Sequence, residues 1–381
     1  MTRRRAILHI GQHKTGTSFI QHQFRRNEAV LRAHGVLYPL REANHSFALS
    51  GLFRRRNPAK APSVTDHYVA AGEQGRRDFA AELAGADWSR LMLSGEVVST
   101  FRRADLIELR DWLRGHVDVI RIVLVVRDPV DWAVSVAQER LKTRGDVATL
   151  LAQPAQVRWA DIVTRMREVF GQRALTVLEY EQLATVRERF AARFALSAGL
   201  PPRVAATLNS AAEGVNEALS MEAALMLGRF NARVPERLAD ARNAARSGLE
   251  AQAFIGLPGN RFDLPDAARR LAYEQSRDDV AFLAREFGIT RYSYAASAIA
   301  PSRYSEAMSP AFLDALADRL VALNAAATAG GMLLDAGRLR DKGEAARAEA
   351  LLRDAAHRFP ADRHVARAMR LRSTAAGDDI G

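Results

Sequence analysis

The chain has 381 residues, of which 48% are hydrophobic and 26% are charged, a balance typical of folded globular proteins that excludes a disordered chain. Lysine and arginine number 55 against 44 acidic residues, so the formal net charge is +11, which favours an anionic partner. The absence of cysteine excludes disulfides, thiolate metal sites and a thiol nucleophile.

Two features of the sequence predict a protein of the cytoplasm. No run of about 18 or more apolar residues occurs, which predicts no transmembrane segment. The basic start of the chain is followed by an apolar run of only five residues that contains His9, which indicates a strand and not an export signal.

A strand, a glycine-containing turn and a helix are predicted at the start of the chain. Ala6 to Ile10 form the apolar run, which ends at Gly11, and a helical period then continues over about 18–33. This order places the backbone N–H groups of residues 13–18 at a helix N-terminus, where unpaired N–H groups and the helix dipole favour a phosphate-like anion.

The side chains of this turn fit an anion as well. Lys14, one of only four lysines in the chain, adds a mobile positive charge, and three residues add hydroxyl donors: Thr15, Thr17 and Ser18. Gly11 and Gly16 keep the glycine spacing of a nucleoside-triphosphate loop, but there the lysine directly follows the second glycine. The arrangement Gly-x-x-Lys-Thr-Gly-Thr-Ser instead resembles the 5′-phosphosulfate loop of sulfotransferases that use 3′-phosphoadenosine 5′-phosphosulfate (PAPS).

The next segments predict a surface loop and a second buried strand. Residues 40–75 are poorly periodic and contain prolines and Arg54-Arg55-Arg56, which indicates a long loop. After a helix near 76–84, the run 91–94 reads as a strand and is followed by Gly95 and Glu96.

A second motif of the same family follows a third strand. Residues 121–126 are rich in β-branched side chains and end in Arg127-Asp128-Pro129, with the proline suited to the first turn of a helix over about 130–142. Ser135 lies eight residues after Arg127. The resemblance to sulfotransferases implies that Arg127 and Ser135 bind the 3′-phosphate of PAPS.

Strands alternating with helices, including a further strand at 175–178, predict an α/β fold with a doubly wound, mainly parallel sheet. Ligands of such sheets bind beyond the carboxyl ends of the strands, where four residues are expected to gather: Gly11, Glu96, Arg127 and Glu179.

The resemblance implies residue roles as well. Lys14 is expected to act in catalysis, and the cofactor-binding residues are expected to be Gly11, His13, Lys14, Thr15, Gly16, Thr17, Ser18, Arg127 and Ser135. Sulfuryl transfer needs a base for the acceptor hydroxyl. Glu96 is the first candidate, because it follows the strand after which relatives carry a catalytic histidine, and His45 is the second. No metal-ligand cluster is apparent, and no metal is expected.

The chain after residue 181 is predicted to be mostly helical. A P-loop-like sulfotransferase domain is expected over 1–295, an Ala/Ser/Pro-rich linker over 296–309, and an α-helical extension over 310–381. The extension is predicted to begin with two helical stretches, roughly 310–328 and 331–340, and residues 331–372 resemble one tetratricopeptide-like unit. These helices are expected to cap the domain, to form a homo-oligomer or to dock a partner.

The resemblance implies transfer of a sulfuryl group from PAPS to a hydroxyl acceptor, expected to be a glycan. Two alternatives stay open: a phosphotransferase that uses ATP and Mg²⁺, and a non-catalytic protein that binds polyanions. Nucleic acid is not an expected partner, since no recognition module or basic stripe with aromatics appears.

Overall fold

The computed structural model describes residues 3–54, 72–143, 145–208, 218–238, 241–243, 246, 249–342 and 344–377. Contacts divide the chain into two compact units. The first comprises Met1–Ala218, Gly228–Asn243 and Phe262–Tyr304, and the second comprises Leu219–Leu227, Ala244–Arg261 and Ser305–Gly381.

A parallel five-stranded sheet forms the centre of the first unit, with strand order β2-β3-β1-β4-β5. Its strands are β1 (Arg5–His9), β2 (Val36–Leu37), β3 (Arg90–Ser94), β4 (Val119–Val126) and β5 (Leu175–Glu179). A separate antiparallel pair joins β6 (Arg237–Leu238) to β7 (Ala241–Arg242). The predicted α/β class with a parallel sheet is therefore confirmed.

The inner strands β3, β1 and β4 are buried on both faces of the sheet, which explains why they are continuous apolar runs, whereas the edge strand β5 is only half-buried. Alternate residues of β1 belong to two different hydrophobic clusters. Ala6 and Leu8 lie in the first cluster, and Ile7 lies in the second. On β4, Leu124 and Val126 belong to the first cluster, and Val125 to the second. Helices cover both faces, as in a doubly wound fold.

The helices of the described residues follow one another along the chain. They are α1 (Thr17–Arg26), α2 (Glu28–Ala33), α3 (Ser46–Phe53), α4 (Gly72–Ala84), α5 (Arg103–Arg114), α6 (Pro129–Thr143), α7 (Val147–Ala152), α8 (Trp159–Phe170), α9 (Tyr180–Leu183), α10 (Phe190–Ser197), α11 (Pro202–Thr207), α12 (Met221–Arg233), α13 (Asp266–Glu274), α14 (Arg277–Phe287), α15 (Pro310–Asp341), α16 (Ala345–Arg358) and α17 (Arg363–Gly377).

Two local predictions need correction. The single helix predicted over 18–33 is interrupted at Asn27, whose side-chain amide donates to the carbonyl of Gln23 at 2.8 Å. Such local bonds compete with helix continuation. Part of the predicted 40–75 loop is helix α3, which buries Leu49 and Phe53 in the core; residues 55–71 of that loop lie outside the described residues.

The C-terminal extension is helical, as predicted, but it begins with one helix instead of two. Helix α15 runs without a break through Gly330 and Gly331. Each glycine weakens a helix by only about 1 kcal/mol relative to alanine, and the alanine- and leucine-rich flanks tolerate that loss. By length and composition, α15 is also the one described helix that could cross a membrane, and 17% of its most apolar window is buried.

Helices α16 and α17 pack on the second half of α15. Ala329, Met332, Ala355 and Val365 form one small core, and Ala336 and Leu352 belong to another. The tetratricopeptide-like identity of this segment stays a prediction.

The predicted linker 296–309 is attached to the first unit over part of its length. The Ser302 hydroxyl donates to the carbonyl of Leu264 at 2.5 Å, and the N–H of Arg303 donates to Asp263 at 3.0 Å. Contacts place the division at 304/305 and add two inner segments to the second unit. The domain bounds drawn from the sequence stay predictions.

Candidate active site

The loop between β1 and α1, residues 10–16, presents a series of unpaired backbone donors. Within the described chain, no hydrogen bond is donated by the N–H groups of residues 13–19. Lys14 and Gly16 have left-handed backbones, with φ of 67° and 79°. Turns of this kind aim successive amides at a common point, which forms an anion-binding concavity at the start of a helix.

Gly16 is the position of this loop that most clearly requires glycine. Its φ is unfavourable for other residues, and a Cβ there would lie 2.6 Å from the ring of Phe190. The loop can therefore approach helix α10 only with glycine at this position.

Hydrogen bonds from Thr15 and from two tryptophans help to hold the shape of the 10–16 loop. The Thr15 hydroxyl donates to the carbonyl of Gln12 at 2.6 Å, inside the loop. Trp159 donates its indole N–H to the Gln12 side chain at 2.8 Å, and Trp132 donates to the carbonyl of His13 at 2.8 Å. The loop is therefore preorganised by two buried indoles from α8 and α6.

Arg127 joins the second predicted motif to the first. It follows β4, the neighbour of β1, and its Nη1 donates to the carbonyl of Lys14 at 2.9 Å. The guanidinium lies 4.8 Å from the ring centre of Tyr180. One of the five N–H donors of Arg127 binds the loop, so the remaining N–H donors can bind an anion.

Asp128 fixes the start of α6, on which Ser135 lies. Its Oδ1 accepts from the N–H groups of Val130 and Asp131, and its Oδ2 accepts from the Tyr294 hydroxyl at 2.8 Å. Burial raises the pKa of Asp128 against the effect of these bonds. Ser135 itself is half-buried on α6, one turn before Glu139.

Glu139 holds the ammonium group of Lys14 in this structure. The Nζ atoms of Lys14 and Lys142 lie 3.1 Å and 3.5 Å from Glu139 Oε2. Partial burial acts to raise the pKa of Glu139, but the two ammonium groups outweigh it and the pKa is lowered. An anion in the loop would compete with this carboxylate for Lys14.

Glu96 lies on the other side of the loop, after β3. Gln21 Nε2 donates to its Oε2 at 2.9 Å, and His13 Nδ1 lies 3.4 Å from its Oε1. Burial acts to raise the pKa of Glu96, but the hydrogen bonds from His13 and Gln21 outweigh it, so the pKa is lowered.

His45, the second candidate base, lies in the core. It is 0% exposed, its ring Nδ1 accepts from the backbone N–H of Ser94 at 3.1 Å, and its backbone N–H donates to the carbonyl of Ser94. Burial lowers its pKa to about 3. Because His45 is buried, it cannot meet an acceptor hydroxyl in this structure, and of the two candidate bases only Glu96 lies beside the loop.

Because two histidines are buried, we expect the free energy of unfolding to fall in acid. Burial lowers the pKa of His45 to about 3 and that of His9 to about 4, so each binds a proton readily only after unfolding. Their contribution to stability is fully present above about pH 6.5 and is lost as the pH falls towards the folded-state values. At pH 5 we expect a loss of about 2 kcal/mol for each histidine, measured by urea unfolding between pH 8 and 5.

His45→Asn keeps an acceptor for the N–H of Ser94 and is expected to flatten this pH dependence, even though it lowers stability at pH 8. The matched control is His22→Asn on exposed His22. An acid loss that is the same in His45→Asn and in the unaltered protein would contradict the assignment.

Most of the residues that were predicted to gather at the carboxyl edge of the sheet are connected to the 10–16 loop by side-chain contacts. Glu96 reaches the loop through His13, and Arg127 reaches it through Lys14. Glu179 instead lies 3.6 Å from Arg291. The roles assigned to Ser18, which is exposed, and to Ser135 stay predictions.

Several residues of the site were not identified from the sequence. They are Gln12, Gln21, Trp132, Glu139, Trp159 and Tyr180. The one local signal was the position of Glu139, one turn after Ser135 on the same predicted helix. The others act through pairings between distant parts of the chain, which spacing does not reveal.

No protein-family model and no curated protein matches this sequence. Among solved structures, a sulfotransferase from Alicyclobacillus acidocaldarius is similar with a TM-score of 0.31 and 16% identity, over 52% of this chain and 82% of that one. A sulfotransferase domain from the curacin biosynthetic pathway is similar with a TM-score of 0.31 and 11% identity, over 72% of this chain and 97% of that one. A TM-score of 0.31 is too low to transfer an activity, so the function has to be argued from the site.

Proposed function

We propose that this protein is a sulfotransferase that moves a sulfuryl group from PAPS to a hydroxyl group. The observation that carries the proposal is the hydrogen bond from Arg127 to the carbonyl of Lys14. It joins the two segments that we propose to bind anions, which follow adjacent parallel strands, and PAPS has anionic groups at both ends of one small nucleotide.

The donors at the site fit such a nucleotide. The unpaired N–H groups of residues 13–19 and the hydroxyls of Thr17 and Ser18 suit the 5′-phosphosulfate, and Arg127 with Ser135 suits the 3′-phosphate. Gly11 lets the loop pack against His9 and Thr17, Gly16 lets it pack against Phe190, and Thr15 supports the loop from inside. Every donor in this set comes from the chain itself.

In the proposed reaction, the acceptor oxygen bonds to sulfur while the bond between sulfur and the 5′-phosphate oxygen breaks. Lys14 and the loop amides stabilise the negative charge that grows on that leaving oxygen. The products are a sulfate ester and adenosine 3′,5′-bisphosphate, and the hydroxyl proton passes to a base of the protein. Lys14 thus supplies charge stabilisation of the kind that Mg²⁺ gives in kinases.

The acceptor is proposed to be a carbohydrate hydroxyl. The net charge of +11 suits an acidic polysaccharide better than a basic or neutral partner. The side chain of His13 is 61% exposed and lies next to Glu96, so solvent, and with it an acceptor, reaches the loop on that side.

A thermal-shift comparison tests the donor. Adenosine 3′,5′-bisphosphate is expected to raise Tm in the absence of metal, and ATP with Mg²⁺ is expected to raise it much less, because a ligand stabilises the fold that binds it. Stabilisation by ATP–Mg²⁺ alone would favour a phosphotransferase. No shift with either nucleotide, together with salt-dependent polyanion binding that survives Lys14→Ala, would favour a non-catalytic binder.

Incubation with ³⁵S-labelled PAPS and a panel of glycans tests the acceptor. Label is expected on a carbohydrate hydroxyl, and label on a lipid or protein alone would contradict the acceptor class while leaving the donor intact.

A further inference from the structure

The ring of His13 has a position that cofactor binding does not explain. Its Nδ1 lies 3.4 Å from Glu96 Oε1, and its side chain is 61% exposed, so most of the ring is open to solvent. The backbone of the same residue is fixed, because the His13 carbonyl accepts from Trp132. One nitrogen thus faces a carboxylate, and the other is accessible to an acceptor.

Glu96 is poorly placed to touch an acceptor itself. Its side chain is only 9% exposed, its Oε2 is bound by Gln21, and its Oε1 faces His13. Gln21 is 2% exposed and also lies 3.4 Å from the carbonyl of Ser94, so it is anchored on the end of β3. A buried carboxylate held in this way can orient an imidazole and stabilise its protonated form.

From this geometry we infer that His13 is the catalytic base of the proposed sulfuryl transfer and that Glu96 is its positioning residue. The inference rests on the proposed function and assigns its missing proton acceptor. His13 Nε2 takes the hydroxyl proton as the acceptor oxygen bonds to sulfur. The electron pair of the broken sulfur–oxygen bond stays on the 5′-phosphate oxygen, beside Lys14.

The arrangement also divides the loop between two tasks. His13 faces β3 and Glu96, whereas the ammonium of the next residue, Lys14, faces α6 and Glu139. Adjacent residues of one rigid loop therefore hold a base and a positive charge on different sides. A base on the acceptor side and a cation on the leaving-group side are what an in-line displacement needs.

Kinetics with ³⁵S-labelled PAPS test the role of His13. His13→Ala is expected to lower kcat about 10²-fold or more, with KM for PAPS changed little, and added imidazole is expected to restore part of the rate. His22→Ala, on the exposed face of α1, is the matched control. The thermal shift with adenosine 3′,5′-bisphosphate should survive His13→Ala. An unchanged kcat in His13→Ala would overturn the inference.

Glu96→Gln tests positioning without removing volume. Because Gln21 donates to this side chain, the new amide would present its oxygen to Gln21 and its NH₂ group to His13 Nδ1. That contact favours the His13 tautomer with the proton on Nε2, which cannot accept another there. We expect kcat to fall in Glu96→Gln about as far as in His13→Ala, and the double variant to be no slower than His13→Ala alone.

A ¹⁵N NMR spectrum of the imidazole nitrogens reports the tautomer of His13 in the absence of PAPS. His13 is expected to carry its proton on Nδ1 in the unaltered protein and on Nε2 in Glu96→Gln. The same tautomer in both proteins, or a further loss of rate when Glu96→Gln is added to His13→Ala, would overturn the positioning role. If the unaltered protein neither binds the bisphosphate nor transfers label, the proposed function fails, and the catalytic role of His13 fails with it, whatever the tautomer.

Discussion

Replacing Lys14 by alanine is expected to lower kcat for sulfuryl transfer about 10²- to 10³-fold, the cost of removing one preorganised group that stabilises a developing oxyanion. The loop is shaped by contacts that do not involve this side chain, since Trp132, Trp159 and Thr15 bind its backbone and Gln12. Tm without ligand should therefore change little. The measurement is the initial rate of label transfer from ³⁵S-labelled PAPS.

Two further lysine variants test whether the loss of rate is specific to position 14 and to an ammonium group. Lys342→Ala removes an exposed lysine of the second unit and is expected to leave the rate unchanged. Lys14→Arg keeps the charge but replaces a compact ammonium by a planar fork, so an intermediate rate is expected. Equal rates for Lys14→Ala and the unaltered protein would remove Lys14 from the mechanism.

The inner strands of the sheet could be predicted from the sequence because burial on both faces makes each of them a short apolar run. That signal alone places β1 and β4 to within two residues of their bounds. Asn27 shows the limit of this signal: the hydrophobic period continues through it, but α1 ends there, where the backbone has φ of −101° and ψ of 17° and the side chain bonds to the carbonyl of Gln23.

The partners inside the site could not be predicted, because they depend on strand order. The sequence gives no reason for β3 to lie beside β1, yet that neighbourhood brings Glu96 to His13. The indoles of Trp132 and Trp159 bind loop residues 119 and 147 positions away. A motif thus specifies which residues contact a ligand, whereas the topology specifies which residues hold them.

Arg127→Ala is expected to weaken binding of adenosine 3′,5′-bisphosphate about 100-fold, since hydrogen bonds from a guanidinium to a phosphate contribute about 1.5–3 kcal/mol each. The change also removes the bond to the carbonyl of Lys14, so a looser loop would weaken binding as well. Calorimetric Kd values for two nucleotides separate these causes. Arg121→Ala, an exposed arginine earlier on β4, is the matched control.

The second nucleotide is adenosine 5′-monophosphate, which lacks the 3′-phosphate. If Arg127 contacts that phosphate, Arg127→Ala should weaken binding of the bisphosphate strongly and binding of the monophosphate only slightly. The difference between the two losses of binding free energy is the coupling between the guanidinium and the 3′-phosphate. If Arg127 only anchors the loop, both nucleotides should lose the same amount of affinity, because both place a 5′-phosphate in the loop. Equal losses would therefore leave Arg127 as a support of Lys14 and would remove the reason for assigning a 3′-phosphorylated donor to this site.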